Sequence, residues 1–104
     1  MDDIITLIRQ HRYRDDYGVE QVAGESKRTV FCDVQSTSRA EFFSAMQAGL
    51  KPSLIVQINP IEYHSETIAE HNGKRYSIYR TYRKNIDGLE LYLQEEVGIQ
   101  NDLS

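Results

Sequence analysis

A mainly β fold, a small antiparallel barrel or sandwich of about seven short strands with one short α-helix, follows from three features of this 104-residue chain. Period-two alternation recurs in short runs, as at Val30, Cys32 and Val34, or at Leu89, Leu91 and Leu93. Turn residues separate the runs at short intervals: Asp15-Asp16-Tyr17-Gly18, Asn59-Pro60, Asn72-Gly73 and Asn85-Ile86-Asp87-Gly88. Helical punctuation occurs once, about Ser38–Gly49.

Asp3 to Tyr13 reads as a first strand in which the adjacent apolar residues Ile4-Ile5 and Leu7-Ile8 break the alternation, which implies a bulge or burial on both faces. The Asp15–Gly18 turn leads to a short return strand, Val19 to Val22, and Ala23-Gly24-Glu25-Ser26-Lys27 reads as a mobile loop. Val30, Cys32 and Val34 then place one face of the next strand on the core. Ser38 and Glu41 form a capping box, each side chain serving a backbone N–H at the helix start. Phe42, Ala45 and Met46 make the helix's apolar stripe, with Phe43 at its border. Gly49 suits the left-handed residue past the helix end, and Pro52 forbids continuation.

Leu54, Val56 and Ile58 point to the core in the strand that Pro60 terminates. Ile61–Tyr63 and Thr67–His71 are expected to pair as a hairpin about His64-Ser65. Asn72-Gly73 is the clearest turn signal, because both residues tolerate positive φ. Lys74 to Arg83 follows as a long strand, and the last one presents Glu90, Tyr92 and Gln94 outward. The chain is expected to be one domain over 1–104: strand, hairpin and mobile loop in 1–27, β core with helix in 28–97, and a flexible tail in 98–104.

Composition narrows the function classes. A formal charge of −4 argues against general nucleic-acid affinity, while remaining compatible with a wall past which DNA slides. The single cysteine admits no internal disulfide, and no apolar run reaches the length of a membrane span. Cys32 sits between Val30 and Val34 on a core face, so it reads as a small hydrophobe. His11, His64 and His71 lack metal-ligand spacing, and no phosphate loop or nucleophile motif occurs; no catalytic residue, metal or cofactor is expected. An enzyme would need a pocket converging on Cys32, His64 or His71.

Lys74 to Lys84 interleaves cations and rings, which raises an alternative: a small β-barrel protein that binds single-stranded nucleic acid. Strict alternation puts Tyr76, Ile78, Arg80 and Tyr82 on one face and Arg75, Ser77, Tyr79, Thr81 and Arg83 on the other. Inward tyrosines, with outward arginines paired to Glu66, Glu70 or the last strand, explain the same pattern by packing. A subunit interface explains it too, since Tyr and Arg are enriched there.

Val30-Phe31-Cys32-Asp33-Val34, Ser36, Glu41–Ala45 and Gly49-Leu50-Lys51-Pro52 together resemble the head–tail adaptor, or head-closure, proteins of long-tailed bacteriophages and prophages. The resemblance continues through Glu62-Tyr63 with Glu66, Gly73–Tyr82 and Leu89–Leu93, and loosely through Asp16-Tyr17-Gly18. His64-Ser65 departs from it, standing where Asn-Gly is usual. The resemblance implies a structural virion protein at the head–tail interface, assembled in the host bacterial cytoplasm. It would form a ring, commonly of twelve copies, between a portal or adaptor ring and the tail terminator, surrounding DNA without reading its sequence, helping to close the DNA channel and docking the tail. A ring uses two different surfaces of each subunit, and alone the protein is expected to be a monomer or small oligomer. Exposure arguments nominate Tyr17, Glu20, Glu25 and Lys27, the stripe Arg75, Tyr79 and Arg83, and the tail residues Asn101, Asp102 and Leu103 as interface.

Overall fold

The computed structural model describes residues 2–95. Six antiparallel strands close into one barrel in the order β1-β2-β3-β6-β5-β4. The strands are β1 (Asp3–Arg14), β2 (Glu20–Gln35), β3 (Pro52–Ile58), β4 (Ile68–His71), β5 (Lys74–Asn85) and β6 (Gly88–Glu95). One helix, α1 (Arg39–Gln47), joins β2 to β3, and a short 3-10 turn, Pro60–Glu62, follows β3.

Alternation fills the barrel as expected. Ile5, Leu7, Val30, Cys32, Val56, Ile58, Ala69, Tyr76, Leu89, Leu91 and Leu93 form the buried cluster, with Leu54, Tyr63 and Ile78 packed against it. Paired residues of an antiparallel ladder share a face, so Leu7 opposite Ala69 and Val56 opposite Leu91 stack across neighbouring strands. The Leu7-Ile8 pair is explained by burial on both faces. Leu7 enters the barrel, while Ile8 lies opposite Ile68 on the other side, and both isoleucines are covered.

The expected mobile loop at Ala23–Lys27 is instead strand. β2 runs without interruption from Glu20, paired to β1 down to Cys32, with one bulge where Arg12 pairs Val22 and His11 pairs Gly24. Pairing to β1 supplies the hydrogen bonds that composition alone did not reveal. The described strands number six because the return strand and the central strand are one element, and because Ile61–Tyr63 does not pair. Pro60 starts a 3-10 turn there, capped by the Asn59 side chain accepting from the Ile61 N–H at 3.1 Å.

The turn chemistry holds elsewhere. Ser38 caps α1, its hydroxyl accepting from the Glu41 N–H at 3.1 Å. At the other end Gly49, at φ +82°, donates to the Met46 carbonyl and Leu50 donates to that of Ala45, which is a Schellman ending. Asn72 and Gly73 both have positive φ, 51° and 81°, between β4 and β5. A Cβ at Gly73 would meet no atom within 4 Å, so only backbone strain opposes a side chain. Gly73→Val is expected to lower stability by about 1–2 kcal/mol, read as a shift in the urea midpoint without a change in slope.

Candidate functional site

β5 carries the residues that attracted attention in the sequence, and a bulge rearranges them. Ile78 pairs with Leu93 but Arg80 pairs with Tyr92, so Tyr79 is an extra residue with no partner on β6. Alternation therefore changes phase at Tyr79. Arg80 leaves the face of Tyr76 and Ile78 and joins Tyr92 outside the barrel, while Thr81 and Arg83 take the side of Leu91 and Leu89. Arg75, Tyr79 and Arg83 accordingly do not form one stripe.

The bulge builds a compact outer cluster. The Arg80 guanidinium stacks on the Tyr92 ring, 3.8 Å from its centroid, and Tyr79 meets that ring edge-on with centroids 6.2 Å apart. Arg80 donates to Glu41 at 2.6 Å, and the Tyr79 hydroxyl donates to the same carboxylate at 2.7 Å. Tyr92 donates to Glu90 at 2.7 Å. Glu90 and Tyr92, expected to face solvent, are thereby buried although they point away from the core. Glu41 does not complete a capping box, because its carboxylate has gone to β5. Arg80 beside it holds that carboxyl below the usual range, against the opposing effect of burial. Burial followed by the Glu41 hydrogen bond pushes the Tyr79 phenol upward, and burial with the Glu90 hydrogen bond pushes Tyr92 up to about 12.

Arg75 is also engaged. It makes a two-pronged contact with Glu25 at 2.7 and 3.3 Å. β1 and β4 lie between the two strands concerned, and register puts Gln10, Ile8, Ile68 and Ser77 on the same side as this pair. The bridge thus spans the side of the sheet on which Ile8 and Ile68 are buried. Glu66, expected to pair with the basic strand, instead lies buried under the loop between β3 and β4. Its carboxylate accepts from Arg28 at 2.9 Å and from the His64 N–H at 2.8 Å, while the Tyr63 hydroxyl donates to the Glu66 carbonyl at 2.7 Å. Arg28 reaches the Glu62 carbonyl as well, and Arg9 the His64 carbonyl. Burial pushes the Glu66 carboxyl up, but the Arg28 and His64 donors outweigh it and leave it lowered.

The other nominated residues separate in space. Tyr17 is 91% exposed at the β1–β2 turn, Glu20 lies 3.5 Å from Arg12, and exposed Lys27 borders a groove with Ile4, Thr6 and Glu70. Exposed Arg83 donates to the Asn85 carbonyl at 2.9 Å. Asn101, Asp102 and Leu103 lie outside the described residues. Cys32 is fully buried, and desolvation, with Asp3 and Asp33 nearby, pushes its thiol up to about 11. His71 is buried with Nε2 2.8 Å from Asp3, His64 engages through its backbone, and neither the groove beside Lys27 nor the one beside Glu41 is lined by Cys32, His64 or His71. Among the described residues, no three His, Cys, Asp or Glu side chains are grouped to hold a metal ion.

Sequence reasoning did not single out Glu41 as a β5 ligand, nor Arg28 and Arg9 as loop anchors. A lone acid in a first helical turn, or a lone arginine in a strand, gives no signal of a partner many residues away. No protein-family model and no curated protein matches the chain.

Three outcomes are expected. Glu66→Ala strands the His64 N–H and leaves one-third-exposed Arg28 only the Glu62 carbonyl and the Glu62 carboxylate 3.5 Å away, so it should cost about 1–3 kcal/mol in urea unfolding. Asp3, Glu25, Glu41 and Glu66 all have lowered folded values, so their contribution is complete above the unfolded carboxylate range and disappears as pH falls through the folded values. Tm should be flat above about pH 5.5 and fall below about pH 4.5. Cys32 should resist a thiol reagent until the chain unfolds.

Proposed function

We propose that this chain is a structural subunit of the head–tail junction of a long-tailed phage or prophage, set as a ring between a portal or adaptor ring and the tail terminator and surrounding DNA. The reading starts from the resemblance of residues 30–93 to head-closure proteins. One structural observation supports it most. The β1–β2 hairpin continues past the barrel: β1 meets β4 only at Thr6–Ile8, and β2 meets β3 only at Asp33–Gln35. Residues 9–14 and 20–27 therefore form a two-stranded ribbon with both outer edges unpaired by any described strand.

Tyr13, Tyr17, Val19 and Val22 are exposed on that ribbon. An isolated two-stranded ribbon is marginal in water, and exposed apolar residues beside open backbone edges suit docking to another protein. Tyr17 and Glu20 retain their place as candidate contacts in this reading, at the ribbon's end. No described helix is long and apolar enough to cross a membrane.

Interrupting the gene in the phage or prophage that carries it should yield separate tails and unjoined heads that fail to retain their packaged DNA, by electron microscopy. Intact virions from the interrupted strain would reject the reading. The isolated protein should run as a monomer or small oligomer in native mass spectrometry, and a stable ring would refute that part.

A further inference from the structure

We propose that α1 is a latched flap: one carboxylate, Glu41, holds it to β5, and it swings off the barrel as a unit while the six strands stay folded. The face that α1 turns to the barrel consists of Glu41, Ser44, Ala45 and Ala48, at the i, i+3, i+4, i+7 spacing of one helical stripe. Ala45 is its only buried residue. The large apolar side chains stay incompletely covered, with Phe42 41%, Phe43 59% and Met46 50% exposed. The expected apolar stripe is therefore only partly covered, and the small buried area contributes little to docking.

Under the helix runs a groove of about 250 Å³, bordered by the same stripe and by Leu50, Tyr79 and Arg80. What bridges it is polar: the Glu41 carboxylate between the Tyr79 hydroxyl and the Arg80 guanidinium. Arg80 is fixed in turn by stacking on Tyr92, so the latch plate belongs to the barrel and the bolt to the helix. Both connections suit a pivot. Residues 36–38 are irregular before the helix, and Gly49 in the left-handed region follows it. The Lys51 N–H, bonded to Gln94 at 3.1 Å, marks where the chain is again tied to the barrel. A nine-residue helix that lies against β3, buries only Ala45 and is tied to β5 by a single carboxylate belongs at the low end of local stability.

Hydrogen exchange on the full chain tests this. Amides of Phe43–Gln47 should open with little denaturant dependence and well before those of Leu91 and Leu93. Glu41→Gln should speed exchange in α1 by about tenfold or more, the scale of a lost charge-assisted bond, with the strands unchanged. Arg80→Met alters only the barrel side and should speed α1 in the same way, which simple fraying of the helix would not produce. Exchange of α1 only through global unfolding, or variants that leave α1 unchanged or loosen every strand equally, would overturn the flap.

Discussion

Closure of the sheet is the constraint on which this molecule depends, and it rests on three residue pairs. β1 meets β4 only through Thr6, Leu7 and Ile8 against Glu70, Ala69 and Ile68. Closure removes an edge that would otherwise be open, and it encloses a core to which every strand contributes. It also forces the chain between β3 and β4, which are not neighbours, to cross an end of the barrel. Arg28 and Arg9 fasten that crossing from β2 and β1, with buried Glu66 as the central acceptor. A charge buried at this position is tolerable because each of its oxygens has a donor.

Polar anchoring recurs on the outside. Glu25–Arg75 reaches across two intervening strands, and Glu41–Arg80 attaches the helix. In each case an acid from one element meets an arginine from an element distant in sequence, near apolar or aromatic surface that lowers the local dielectric. Carboxylates so placed make folding depend on their ionised form. The barrel interior, by contrast, is apolar apart from the groups at its end, and Cys32 behaves there as one more core side chain.

The exterior therefore divides by role. The β1–β2 ribbon is exposed, open-edged and sparsely supported, as a docking element would be. The Tyr and Arg residues of β5 that suggested nucleic-acid contact are largely engaged within the chain: Tyr79 and Arg80 by Glu41, Arg75 by Glu25. Exposed Tyr82 and Arg83 remain near the β5–β6 turn.

What the amino-acid order determined by itself was local. Alternation in β3 and β6, the Ser38 cap, the Gly49 ending and the Asn72-Gly73 turn each depend on contacts within a few residues, so their residue types carry them openly. Tertiary structure decided whatever required a partner far along the chain. Ala23–Lys27 became strand because β1 lies beside it, and Tyr79 became a bulge because β6 is one residue shorter over that span. Glu41 left its capping role because Arg80 and Tyr79 offered a charge-assisted site that a backbone N–H could not match. Short-range patterns carry no record of such competition, since its winner is fixed only when the sheet closes.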